Sequence, residues 1–381
     1  MTQRRDAAGG NRTLRSGSSE EIQPGDERTV LVAMSGGVDS SVAAALLLEQ
    51  GYRVIGATMK AFCYSETEGP RNTCCGLEGI MDARRVADHL GIPHYVFDME
   101  HSFADAVIDD FVDEYVAGRT PNPCVRCNSN TKIPDLLRRG RAMGAAHIAT
   151  GHYARIRRKN GRTELLRGTD DRKDQSYFLW GVPSEVLDRM LFPVGELTKD
   201  EVRDRARALG LATAEKPESQ EICFVPTDDY TDFLTDRLGA EHRALQPGKL
   251  VRSSGEEVGE HDGYARYTVG QRKGLGGGFP QRLYVIETRP SRNEVVVGDD
   301  GELDRREVVL GDLNWLGDPP DPDHRVAVRL RHGAPLVQST VTHRSDEVVH
   351  VTLDEPQRAV TPGQSGAVYL GDVLLGGGRI R

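Results

Sequence analysis

Two cysteines stand three positions apart in Thr120-Pro121-Asn122-Pro123-Cys124-Val125-Arg126-Cys127-Asn128, a loop stiffened by two prolines. A third, Cys223, follows 96 residues after Cys127 in Ser219-Gln220-Glu221-Ile222-Cys223-Phe224. Three chemistries compete for this set. A structural zinc ion ordinarily takes four Cys or His ligands, and there is no second C-x-x-C. A redox pair uses thiolates activated by neighbouring cations, and Arg126 lies between Cys124 and Cys127. An iron–sulfur cluster on three cysteines would leave one iron open to a small ligand. Spacing alone does not choose among them. Cys63, Cys74 and Cys75 lie in a polar insertion and read as incidental loop thiols, with metal binding as the sharper alternative.

A second constellation is Met34-Ser35-Gly36-Gly37-Val38-Asp39-Ser40-Ser41. It joins a continuous apolar run, Thr29 to Met34, to a strong helix former, Ser41 to Gln50, ended by Gly51. Unpaired N–H groups and the dipole at a helix start attract phosphate. Gly36 and Gly37 let the backbone approach oxygens closely, and Ser35, Ser40 and Ser41 add hydroxyl donors. The loop has no lysine, so it is not a GxxxxGK[ST] cradle. Asp39 suits a phosphate site only through Mg2+ or as a helix cap; a tight strand-to-helix turn capped by Asp39 is the plain alternative. The full string resembles the PP-loop of the N-type ATP pyrophosphatases, which cleave ATP to AMP and pyrophosphate while adenylating a substrate oxygen. That resemblance implies ATP contacts at Ala33, Met34, Ser35, Gly36, Gly37, Val38, Asp39 and Ser40, with Met59 near the adenine.

The elements around these residues alternate. After the first strand and helix come Tyr52 to Met59 (strand), Asp82 to Leu90 (helix ended by Gly91), His94 to Asp98 (strand), a helix around 104–116, and His147 to Thr150 (strand). This is the order of an α/β domain with a doubly wound parallel sheet. Thr198 and Glu201 form a capping box that opens a helix through Leu209. Beyond about residue 283, short β-rich pieces alternate with Gly, Pro and Asp turns, which predicts an all-β barrel or sandwich. The expected organisation is a disordered tail over 1–27, an ATP-binding catalytic domain over 28–190, a small central domain over 191–282, and a β-barrel-like domain over 283–381.

Composition narrows the class. Across 381 residues the net charge is −9, which argues against coating nucleic acid by bulk charge but allows a local basic face. Six cysteines are too few for a disulfide scaffold, no apolar run approaches the roughly 18 residues of a membrane helix, and the N-terminus lacks a signal-peptide core. A cytoplasmic protein with reduced thiols is expected, with no membrane partner.

The separated strings AMSGGVDSSV, GRTPNPC-x-x-CN, ATGHYAR, DRKDQSYFL, LFPVGELTK, EICFV, YTVGQRKGLG and TPGQSGAVYL, in this order, resemble the bacterial tRNA-specific 2-thiouridylases from about residue 29 onward. The resemblance implies replacement of the 2-oxygen of wobble uridine 34 by sulfur, after adenylation of that oxygen by ATP. It implies Cys127 as nucleophile and Cys223 as carrier of a persulfide, the two forming a disulfide after transfer, with sulfur supplied by a relay protein or sulfide. It places the base at Asn122, Pro123 and Cys124, ATP at Gly151, and tRNA at His152, Lys173, Asp174, Gln175, Arg331, His332 and Gln364. One position departs from a common family pattern, which has aspartate where Cys124 stands. A [4Fe–4S] cluster on Cys124, Cys127 and Cys223 that binds hydrosulfide therefore stays open as the alternative route.

A tRNA needs phosphate contacts along one face. Arg126, Lys132, Arg138, Arg139, Arg141, Arg155, Arg157, Arg158 and Lys159, joined by Arg272, Lys273, Arg329 and Arg331, are the cations expected to supply that face. A PP-loop synthetase acting on a small molecule, or a tRNA-binding protein with a relic ATP loop, are the rival readings; neither needs both cysteines.

Overall fold

The computed structural model describes residues 27–61, 77–217, 222–225, 229–276 and 281–381. Residues 1–26 of the expected tail, and Cys63, Cys74 and Cys75, lie outside the described residues. Among the described residues no helix is long and apolar enough to cross a membrane.

The first half supplies β1 (Thr29–Ala33), α1 (Val38–Glu49), β2 (Arg53–Lys60), α2 (Leu77–Leu90), β3 (His94–Asp98), α3 (Glu100–Phe103), α4 (Asp109–Val116), α5 (Pro123–Arg126), α6 (Ile133–Ala142) and β4 (His147–Ala149). A hairpin of β5 (Ala154–Lys159) and β6 (Arg162–Arg167) follows, then α7 (Ser184–Leu187), β7 (Met190–Leu191) and α8 (Lys199–Ala208). Five strands form a parallel sheet in the order β3-β2-β1-β4-β7. Every residue of β1 is buried, as a strand covered on both faces requires. The order reverses between β1 and β4, and α/β sheets bind ligands outside the carboxyl ends of strands at such a reversal. The loops after β1 and β4 are the glycine-rich loop and Thr150-Gly151-His152.

The rest of the chain comprises α9 (Tyr230–Leu238), β8 (Gly248–Arg252), β9 (Glu257–His261), β10 (Tyr284–Arg289), β11 (Glu294–Gly298), β12 (Asp304–Trp315), β13 (Arg325–Arg329), β14 (Val337–Arg344), β15 (Val349–Arg358), β16 (Ser365–Leu370) and β17 (Val373–Ile380). Six strands, β12-β15-β14-β13-β16-β17, close into an antiparallel barrel through the β12–β17 pairing. Two strand placements differ from the sequence expectation. Tyr284–Arg289 and Glu294–Gly298 lie beyond residue 283 yet join β8 and β9 in a four-stranded sheet of order β10-β11-β8-β9, Val295 of β11 opposite Leu250 of β8. The β5–β6 hairpin of the catalytic half extends the barrel sheet, Leu165 opposite Leu374. An apolar alternation announces a strand and says nothing of its partner.

Candidate active site

The glycine-rich loop is shaped by its own atoms. The N-cap of α1 is Gly37, with no side-chain cap, so Asp39 does not play the capping part that the plain alternative gave it. Ser40 Oγ accepts from Ser35 N–H at 3.2 Å, and the Ser40 and Ser41 hydroxyls donate to Gly37 C=O at 3.2 and 2.8 Å. Gly36 has φ +73°, and a Cβ there would stand 2.2 Å from Gly79 O of α2. Gly151 packs as closely from the other side, where a Cβ would meet Ser40 N at 2.6 Å. The β4 loop therefore walls the helix start that the ATP reading invokes. Met59 is half-buried at the end of β2 and packs against the sheet core.

Asp39 points elsewhere. Lys199 Nζ donates to both its carboxylate oxygens at 2.8 and 2.9 Å, and Tyr153 OH donates to Oδ1 at 2.7 Å. Lys199 is the first residue of α8, fixed by the predicted capping box of Thr198 and Glu201. Its backbone N–H donates to buried Asp170 at 3.1 Å. Lys199 is only 6% exposed. Sequence reasoning missed both Lys199 and Tyr153, although the strings ATGHYAR and LFPVGELTK contain them. This Asp39–Lys199 pair is a carboxylate of the kind that holds Mg2+ beside phosphates, next to a cation able to take its place on an anion.

The cysteine loop forms at the meeting of three units. Asn122 caps α5, its Oδ1 accepting from Val125 N–H at 3.4 Å, and Pro123 takes the first helical position. Cys124 is exposed, whereas Cys127 and Cys223 are half-buried and pack against one cluster that includes Phe103, Phe111 and Phe224. Phe111 and Phe224 meet edge-to-face at 5.1 Å. Among the described residues no three His, Cys, Asp or Glu side chains group as a metal site. The three thiols stand in two environments, Cys124 exposed and Cys127 and Cys223 packed against the aromatic cluster.

The remaining expected site residues divide. Asp174 is sealed: its carboxylate accepts from Gly168 N–H and Ser176 N–H at 3.1 Å, and from Arg167 at 3.3 Å and Arg329 at 2.7 Å. It cannot touch a macromolecule through that carboxylate. It fixes instead the loop that carries Lys173 and Gln175, both half-buried. Gln175 Oε1 accepts from Tyr153 N–H at 3.0 Å, which ties that loop to the one after β4. His152 bonds with Thr150 Oγ1 at 2.8 Å, and burial, reinforced by Lys132, pulls its pKa down to about 3. Arg331 and His332 are exposed on the barrel, with the His332 ring tilted against Phe178 at 4.4 Å. Gln364 does not face outward: its amide donates to Thr120 C=O and Pro121 C=O at 3.0 Å, at the start of the cysteine loop.

Part of the basic cluster is neutralised by carboxylates. Arg126 pairs with Asp110, Arg138 and Arg139 with Asp135, Arg155 with Glu196 and Asp372, and Arg157 with Glu164. Arg329 is buried on Asp174 and cannot reach a phosphate. Arg141, Lys159, Arg272, Lys273 and Arg331 are exposed, with no acidic partner among the described residues.

Comparison with known proteins covers nearly the whole chain. Residues 28–227 match the family described as tRNA methyl transferase HUP domain, 231–299 the tRNA methyl transferase PRC-barrel domain, and 305–380 the aminomethyltransferase beta-barrel domain. The tRNA-specific 2-thiouridylase MnmA of Carboxydothermus hydrogenoformans is 48% identical over 358 residues, covering 93% of this chain and 97% of that protein. The protein of the same description from Geobacter metallireducens is 49% identical over 358 residues, covering 93% and 96%. Among solved structures, a 4-thiouridine synthetase–RNA complex with bound ATP aligns over 57% of this chain and 52% of that one, with 14% identity and a TM-score of 0.35.

Proposed function

We propose that this chain, which belongs to the tRNA-specific 2-thiouridylase family, converts the wobble uridine 34 of tRNA to 2-thiouridine at the expense of ATP. A urea-like carbonyl oxygen is a poor leaving group. Attack of the uridine 2-oxygen on the α-phosphate expels pyrophosphate and turns that oxygen into part of AMP. The loop from Ala33 to Ser40, with Gly151 closing its side, holds the phosphates by backbone N–H groups at the start of α1. Asp39 would hold Mg2+, which supplies charge neutralisation of the phosphates when bound. Lys199 stands beside Asp39 to neutralise the same charge.

Sulfur then arrives from Cys223. The terminal sulfur of a Cys223 persulfide attacks C2, forming a carbon–sulfur bond as AMP leaves with its electron pair. The Cys127 thiolate attacks the Cys223 sulfur, which breaks the sulfur–sulfur bond, releases 2-thiouridine and leaves a Cys127–Cys223 disulfide. A thiol reductant restores both cysteines, and the Cys223 thiolate then takes the outer sulfur of a persulfide on a relay protein, whose own cysteine leaves as a thiol. The observation that carries this reading is that Cys127 and Cys223, distant in sequence, border one aromatic cluster while Cys124 remains outside it. Asn122, Pro123 and Cys124 present the base; Lys173, Gln175, His152, Arg331 and His332 line the approach of the RNA.

The test is AMP release and 2-thiouridine formation with purified protein, ATP, a persulfide donor and tRNA carrying or lacking a wobble uridine. Both products are expected only with the uridine. AMP formed on a small-molecule acceptor, with no dependence on tRNA, would favour a PP-loop synthetase instead.

A further inference from the structure

The barrel grips the cysteine loop at two points. At its start, Thr120 N–H donates to Pro362 C=O at 2.8 Å, and the Gln364 amide holds the carbonyls of Thr120 and Pro121. Near its reactive end the link is ionic. Arg379 of β17 donates to Asp110 Oδ1 of α4 at 2.8 Å and reaches Glu114 Oε1 at 2.5 Å and Asp312 at 3.4 Å. The same Asp110 oxygen takes Arg126 Nη2 at 2.9 Å and Nε at 3.1 Å. Arg126 immediately precedes Cys127. One carboxylate oxygen therefore joins the last barrel strand to the residue beside the reacting thiol. The side chains of Asp110 and Arg379 are 16% and 14% exposed, so solvent screens the pair weakly.

Cys127 sits where the backbone changes pitch: α5 runs without a break into a π-helical segment, Cys127–Lys132, and on into α6, and such π segments are rare and concentrate at functional sites. A small cavity lined by Asn122, Val125, Arg126, Trp180, Asp312 and Arg379 lies between loop and barrel, so loss of the link leaves space into which the loop can shift.

We propose that Arg379 and Asp110 are positioning residues for Cys127, and that the Arg379–Asp110–Arg126 link makes the C-terminal barrel part of the sulfur-transfer apparatus as well as a surface for RNA. This rests on Cys127 being the reacting thiol. The test uses the full chain with Arg379→Ala, Arg379→Lys and Asp110→Asn. Three quantities are read: kcat and KM for tRNA in thiolation, the rate of iodoacetamide labelling at Cys127 located by mass spectrometry without tRNA, and the melting temperature. For Arg379→Ala the expected result is a kcat about tenfold lower, a KM within threefold of the parent, and Cys127 labelling about fivefold faster. Arg379→Lys, which keeps the charge, recovers most of the rate, and Asp110→Asn repeats the alanine result. A loss confined to KM would overturn the proposal, because the barrel would then only bind RNA; so would unchanged kcat and labelling. Should Arg379→Ala fail to fold, Asp110→Asn, which changes one side-chain atom, decides by the same readings. Should Cys127→Ser retain thiolation, the reading of Cys127 as nucleophile fails, while its labelling rate still judges the link.

Discussion

In the glycine-rich loop, the contacts that set the backbone come from Ser35 to Ser41 themselves, with Gly79 and Gly151 as walls. The cysteine loop takes its shape from elsewhere. Thr120 is tied to Pro362 and Gln364 of the barrel and to Thr268 near the middle sheet at 3.1 Å, and Arg126 to Asp110. The first loop can be read from its own letters because local chemistry makes it. The second opens a longer helical run, from Pro123 to Ala142, whose start is held by residues more than two hundred places away. The phosphate chemistry is thus carried by a self-contained turn, and the sulfur chemistry by an assembly of all three units.

The contrast can be broken most forcefully where the ATP loop does have long-range partners, Lys199 and Tyr153 on Asp39. Lys199→Met takes the ion pair from the Asp39 carboxylate, leaving the Tyr153 hydrogen bond, and removes a cation beside the phosphates. Charge-assisted hydrogen bonds are worth about 1.5–3 kcal/mol, so AMP formation should fall about 100-fold, read by release of labelled AMP. Undiminished AMP formation would mean the loop needs nothing outside itself. Gly363→Ala probes the other side. Gly363 has φ +91°, and a Cβ there would stand 2.8 Å from the backbone N and O of Thr120. The strain of about 1–3 kcal/mol should lower thiolation about tenfold and leave ATP affinity, measured by calorimetry, within a factor of two.

His152 gives a smaller effect with a definite sign. Its pKa is about 3 in the folded chain against 6.5 ordinarily, so between those values the unfolded chain holds the extra proton. This contribution to stability is complete above pH 6.5 and declines as pH falls towards 3, by up to about 1.4 kcal/mol per unit. His152→Gln should flatten the dependence of melting temperature on pH between 6.5 and 4. The smallest expected change concerns salt. Arg331→Ala should reduce the slope of log Kd for tRNA against log salt by about one. Arg329→Ala, two positions away, should leave that slope alone and lower the melting temperature, because it strands buried Asp174.

Much was legible where the signal is local. The buried strand Thr29–Ala33, the glycine turn and the Thr198–Glu201 capping box stand as their residues imply. What the letters withheld were partners. The motif string placed Lys199 on a helix start, and nothing in it pointed to Asp39, 160 residues earlier. Gln364 and Asp174 carry the types expected of RNA contacts, yet their polar atoms are spent inside the protein. The arginine cluster looked like a phosphate face because sequence shows charges without the carboxylates that fold against them. Such pairings are set by tertiary packing, to which composition and period are blind.

The account stands or falls on two thiols acting without a third. The direct measurement is single-turnover 2-thiouridine formation, quantified by nucleoside mass spectrometry, with persulfide-loaded parent protein and the Cys124→Ser, Cys127→Ser and Cys223→Ser variants. The expected result is no product from Cys127→Ser or Cys223→Ser and a rate within about threefold of the parent from Cys124→Ser, whose thiol lies outside the aromatic cluster. Cys124→Ser as inactive as the other two would contradict it, and would mean that three thiolates act together.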